Sequence, residues 1–148
     1  MNTTVPIVID DSEKVARIIV NAANIIDGEI SPMVFRLRPL EPPEWYVSVI
    51  REKYMEISEK SLKETVKAWK DKKLTGYLSL KTGECRKLKT EEVKVDIRSF
   101  PSKSNPAHAG IVYIRQENGE AIQHGEPVPF DFILLLEQLV KISTLYTF

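Results

Sequence analysis

The chain has 148 residues, with 21 lysines and arginines balanced by 21 acidic side chains, 43% hydrophobic residues and 28% charged ones. That is the length of one domain with enough apolar surface for a core. The cancelled charge removes the long-range field that draws many nucleic-acid binders to their target, so nucleic acid is disfavoured as a partner. One cysteine, Cys85, excludes an intramolecular disulfide, and with only two histidines no zinc site can be assembled from cysteine and histidine alone.

In chain order, residues 5–9 read as a short first strand closed by Asp10 and Asp11. Asp11 or Ser12 then suits a helix N-cap, and Val15, Ile18, Ile19, Ala22 and Ile26 recur at helical spacing, predicting an amphipathic helix to about Asn24. The β-branched run from Arg17 to Val20 keeps a strand as the alternative. Asp27-Gly28 closes the element as a turn. Residues 33–38 alternate, with Met33, Phe35 and Leu37 on one face and Arg36 and Arg38 on the other, which predicts a strand broken by Pro39, Pro42 and Pro43. Residues 45–51 read as the next strand, ending near Arg51.

Ser58 or Ser61 caps a predicted helix reaching Lys73, with Leu62, Val66 and Trp69 on its apolar side and a lysine-rich solvated face opposite. Gly76 suits the exit of that helix. Residues 77–80 form a short strand. Residues 82–88 fit either a hairpin return or a Thr82-capped helix, and the three-residue spacing of Cys85 and Leu88 favours the helix. Val93, Val95 and Ile97 alternate with charged residues as a strand whose neighbour is 110–114, followed by an Asn118-Gly119 turn. A last, strongly apolar helix covers about residues 130–145 behind Pro127 and Pro129. The elements predict an α+β fold in a single domain over 1–148: a mixed or antiparallel sheet of four to six strands with about three helices.

The N-terminus lacks a basic region followed by an apolar core, and the longest apolar run, 132–136, is too short to span a bilayer; a cytoplasmic protein with no membrane partner is expected. No phosphate-binding loop, dinucleotide fingerprint or hydrolase elbow is present, so no cofactor and no metal is expected. Site-type chemistry concentrates in the loop 100–110, where Ser102, Lys103, Ser104 and Asn105 precede His108. His108 is the candidate catalytic acid or base. Arg36, Arg38 and Arg51, with Ser104 and Asn105, are candidate ligands for an anion if the loop and the arginine-bearing strand share one cavity. The opposing reading leaves the serines and His108 satisfying loop backbone groups. Cys85 reads as a small core residue.

The succession Phe35-Arg36-Leu37-Arg38-Pro39, Val47-Ser48-Val49 with Arg51, Gly76 to Leu80 with Thr82-Gly83-Glu84, and Asn105-Pro106-Ala107-His108-Ala109 resembles an uncharacterised family of small bacterial proteins. The resemblance spans about residues 31–114. It implies a bacterial cytoplasmic protein and carries no established activity. Two functions remain in competition. The preferred one is a non-enzymatic accessory module that binds a protein partner or its own copy through the C-terminal helix, with Trp45 or Trp69 adding contact surface. The alternative is an enzyme or sensor for a nucleotide or other phosphorylated small molecule, held by the arginines and His108.

Overall fold

The computed structural model describes residues 5–148, so the N-terminal stretch read for a leader begins outside the described residues. Strand β1 (Lys14–Val20) leads into a small hairpin of β2 (Ile25–Ile26) and β3 (Glu29–Ile30), and a 3-10 turn (Pro32–Phe35) follows. Next come β4 (Val47–Arg51), helix α1 (Glu59–Thr65), β5 (Leu74–Lys81), the short α2 (Thr82–Arg86), β6 (Val93–Ser99), β7 (His108–Arg115), α3 (Phe132–Ile142) and β8 (Thr144–Thr147). Six of the strands make one antiparallel sheet in the order β6, β7, β4, β1, β5, β8, and the architecture is α+β.

The sheet has an apolar layer on each face. Val15, Ile19, Val47, Val49, Ala109, Ile111 and Tyr113 face the larger core, with Phe35, Cys85, Leu136 and Leu139 packed over them. Ala16, Ile18 and Ile50 face a smaller one with Leu62, Leu74 and Ala107. This double burial corrects the helix expected over 12–24. A central strand covered on both sides carries consecutive apolar residues, and Val15, Ile18 and Ile19 imitate a helical stripe only because both faces are covered. The β-branched side chains then decide for the strand.

Other expectations change for equally local reasons. Residues 5–9 form no strand; Ile9 is buried, while the carbonyls of Pro6 and Val8 accept hydrogen bonds from Arg51 instead of joining a ladder. Residues 33–38 are not a strand either. Pro32 opens a 3-10 turn whose first amide, that of Met33, is capped by the Ser31 hydroxyl at 3.2 Å, and the neighbours Val34 and Phe35 both enter the larger core, where strand alternation would send them to opposite faces. Helix α1 is capped by Ser58 but stops at Thr65, and a separate 3-10 turn (Lys67–Trp69) takes the place of the predicted continuation to Lys73. Gly76 lies inside β5 and not at a helix exit, because the Tyr146 backbone of β8 crowds the space a side chain would fill. The final helix ends at Ile142, and β8 follows it, with Thr144, Tyr146 and Thr147 supplying strand-forming side chains.

The remaining elements stand where the pattern puts them. Asp27-Gly28 is the β2–β3 turn, with φ of 51° and 79°, the left-handed pair that a two-residue hairpin of this hand requires. Residues 82–86 are helical, as preferred, with Thr82 as the first helical residue and not the cap. Strands β6 and β7 pair over seven residues from Val93↔Arg115 to Ser99↔Ala109. No helix among the described residues is long and apolar enough to cross a membrane.

Candidate functional site

The sheet is split between β1 and β4. These strands pair only at Val15↔Arg51 and Ala16↔Ile50, after which β1 continues along β5 while β4 continues along β7. The carbonyl of Ser48 therefore has no β1 amide to bond. Arg17 fills the gap: its Nε donates to the Val34 carbonyl at 3.0 Å and its Nη1 to the Ser48 carbonyl at 3.0 Å. A guanidinium thus replaces the missing rung of the ladder.

Two hollows open on this split and share Arg17, Ile18, Ser48, Val66 and Trp69 as walls. The larger, about 360 Å³, carries Arg36 and Arg38. The smaller, about 130 Å³, carries His108 and Asn105 among apolar side chains. Val66 and Trp69 reach the cleft because α1 ends early and the 3-10 turn swings them over the sheet.

The arginine end has excess positive charge. Arg38 is held by Glu44 in a two-pronged pair, Nε to Oε1 at 3.1 Å and Nη2 to Oε2 at 2.9 Å. Among the described residues, Arg36 donates only to neutral acceptors, Asn24 Oδ1 and the Met33 carbonyl, each at 3.2 Å. Arg17 has no carboxylate within ion-pairing distance among the described residues. Burial, then the repulsion of Arg38, lowers its guanidinium to about 10, still cationic at neutral pH. A cation so placed favours any anion that reaches it.

At the other end, His108 begins β7 and faces the cleft beside Ser48. Its Nδ1 lies 2.9 Å from the Phe100 carbonyl, which can only accept, so Nδ1 carries the proton. In the neutral ring Nε2 is then the acceptor, 3.2 Å from Ser48 Oγ, and the hydroxyl donates to it. Asn105 borders the same hollow, is 8% exposed, and its Oδ1, itself shielded from solvent, has no hydrogen-bond partner among the described residues. Leaving such an atom unbonded costs roughly 1–3 kcal/mol.

The cleft therefore brings together some of the residues singled out from the sequence and leaves others aside. Arg36 and Arg38 line one hollow, His108 and Asn105 the other. Ser104 lines neither hollow but two further depressions, one of which shares Val66, Asn105 and His108 with the smaller hollow. Arg51 is elsewhere. Its register partner Val15 faces the larger core, and the Arg51 side chain, fully buried on that side, is locked to Glu13 by Nε to Oε1 at 3.0 Å and Nη2 to Oε2 at 2.8 Å. It is a structural cation. Ser102 and His108 act in part as the opposing reading had it, since Ser102 Oγ accepts from the Asn105 amide at 3.0 Å and His108 Nδ1 bonds the Phe100 carbonyl at 2.9 Å at the start of β7. Arg17 and Ser48 were not among the candidates. Arg17 sat inside a presumed helix, and a serine alternating within a strand gives no signal of its own.

Cys85 is fully buried and burial pushes its thiol up to about 12, which removes it from nucleophilic chemistry. Gly110, opposite Ser48 in register, makes room for the stacked rings of Tyr46 and Phe100, 4.5 Å apart, which wall the histidine. A Cβ there would lie 2.6 Å from the Tyr46 ring. Gly110→Ala is expected to lower unfolding free energy by about 1–3 kcal/mol in urea titration through this overpacking.

Comparison of the sequence with protein-family models, with curated proteins and with solved structures returned no match. The function has to be argued from the cleft itself.

Proposed function

We propose that the protein binds a small anion, a phosphate- or carboxylate-bearing metabolite, in the cleft at the β1–β4 split. The observation that carries this reading is Arg17, a largely enclosed guanidinium with no carboxylate partner among the described residues, beside Arg36, which also lacks one. Enclosed charges are ordinarily paired, and an arginine cluster with an unfilled charge is suited to planar oxyanions. Trp69 and Val66 add apolar wall for the rest of such a ligand, a nucleotide being one candidate. The residue resemblance noted above and the single buried cysteine support a bacterial cytoplasmic setting.

Thermal-shift and calorimetric titrations with orthophosphate, a nucleoside monophosphate and malate test this. At least one should bind, with affinity falling as salt rises, and Arg36→Gln should weaken it by about tenfold, the loss of one charge-assisted contact. If none of the three binds, the reading fails.

A second reading, association with another copy of this chain, is favoured by the outer surface of α3. Ile133 and Leu134 are exposed there, next to a Phe130 that is 97% exposed. Sedimentation at increasing concentration should then show a dimer that Leu134→Lys dissociates, and a monomer throughout would dispose of it.

A further inference from the structure

We propose that Ser48 and His108 are the nucleophile and general base of an esterase acting on short-chain acyl esters of anionic alcohols. This rests on reading the arginine hollow as an anion site. Three separate pieces of geometry support it. First, the hydroxyl and the base are already in contact, Ser48 Oγ donating to His108 Nε2 at 3.2 Å, within the range that tightens when substrate binds. Second, the ring is fixed from behind, because the Phe100 carbonyl takes the Nδ1 proton at 2.9 Å and so holds the tautomer that leaves Nε2 free to accept. In the serine–histidine–carboxylate arrangement a carboxylate does this; here a backbone carbonyl does, so less charge supports the imidazolium and a modest rate is expected. Third, Ser48 stands on the wall shared by two hollows of different chemistry.

That third point defines the substrate. The small hollow beside His108, about 130 Å³ and walled by Ala16, Ile18, Ile50 and Val66, has room for an acyl group of a few carbons. The larger hollow holds the cations Arg17, Arg36 and Arg38 and suits the charged alcohol portion. An ester bond lying across Ser48 would place each part against the wall that matches it. Arg17 Nη1, bonded to the Ser48 carbonyl at 3.0 Å, places a positive charge next to the same residue, and that charge favours a developing oxyanion.

The steps balance. Ser48 Oγ attacks the acyl carbon as its proton passes to His108 Nε2; the C–O bond to the alcohol breaks, and the leaving oxygen takes that proton. Water then attacks the acyl-serine, giving its proton to Nε2. The bond to Ser48 Oγ breaks, the serine regains the proton, and the carboxylic acid departs. Ester and water become acid and alcohol, with no oxidant or further reactant.

The test uses 4-acetoxybenzoate, whose leaving group carries a carboxylate, against neutral phenyl acetate, with 4-hydroxybenzoate as a non-reacting binding probe. The wild-type protein should hydrolyse the anionic ester with kcat/KM about tenfold or more above the neutral one, a preference of about 1.4 kcal/mol. Ser48→Ala should lose about 100-fold or more in turnover while still binding 4-hydroxybenzoate, and His108→Gln should do the same. Mass spectrometry during turnover should find one acetyl group on the Ser48 peptide of the wild type. Turnover undiminished in Ser48→Ala, or acetyl found only on other residues, overturns the catalytic assignment. Binding of 4-hydroxybenzoate without any turnover overturns it too and leaves the anion cleft intact. Absence of 4-hydroxybenzoate binding overturns the assignment of the charged alcohol portion to the arginine hollow, and only the failure of all three anions above takes down the anion reading itself.

Discussion

Replacing Glu13 by glutamine is expected to lower unfolding free energy by about 3–5 kcal/mol, because it strands a buried arginine without its counter-charge. Arg51 is 0% exposed and the Glu13 side chain 6%, and the two are joined by two hydrogen bonds, with the Pro6 and Val8 carbonyls, Ser99 Oγ and the face of the Tyr54 ring also against the guanidinium. Removing both charges together, as Glu13→Leu with Arg51→Met, should recover most of that loss, since the desolvation penalty disappears along with the attraction. The pair also sets an acid limit. Burial pushes the Glu13 carboxyl up, but the hydrogen bonds and charge of Arg51 and the Asp10 amide outweigh it and hold the group below its ordinary 4.5. A depressed carboxylate stabilises the fold above the unfolded value and loses that contribution as pH falls through the folded one. Urea midpoints should therefore be flat in this respect above about pH 5 and decline below it, and Glu13→Gln should remove that part of the decline. An unchanged acid slope in the variant would contradict the assignment.

The same pair shows where the sequence stopped being legible. Arg51 at the end of a strand looks like an available cation, and nothing local to it says that a glutamate 38 positions earlier closes over it. An element whose sides differ in polarity was readable: β6, with Val93, Val95 and Ile97 buried and Lys94 and Arg98 exposed, is where alternation puts it. The central strand β1 was not. Covered on both faces, it loses the alternation that marks a strand and keeps only its β-branched content as a signal. The turn at 32–35 was hidden for the converse reason, since the Met33, Phe35, Leu37 alternation is real in sequence but is overridden by Pro32 and the Ser31 cap.

The candidate site was half legible for a related reason. Histidine, asparagine and arginine declare themselves by type, so His108, Asn105, Arg36 and Arg38 could be chosen without coordinates. What joins them is a break in pairing between β1 and β4, and a break of register leaves no mark on composition. Ser48 and Arg17 matter because they border that break: one contributes an unpaired carbonyl to it, the other the cation that answers the carbonyl. A guanidinium that bridges two carbonyls across an open split is fixed in place before any ligand arrives, which spares the ligand the cost of ordering it.

Arg17→Met should accordingly separate stability from binding. Methionine keeps most of the apolar stem and loses the bonds to the Val34 and Ser48 carbonyls, but it also removes an enclosed charge that no carboxylate offsets, so the net change in unfolding free energy should stay within about 2 kcal/mol. Affinity for the anion that the wild type binds in the titrations above should instead fall by about 10- to 100-fold, the worth of a charged hydrogen-bonded contact. Arg17→Lys keeps the charge and gives up the planar fork, and should lie between the two. The wild type carries a further signature: with Arg17 lowered to about 10, affinity for orthophosphate should decline as pH rises through that value, because the cation is lost while the anion keeps its charge. The decline should be absent in Arg17→Met. Equal losses of stability and affinity, or a wild-type affinity that ignores alkaline pH, would make Arg17 a strut across the split and move the anion's recognition away from it.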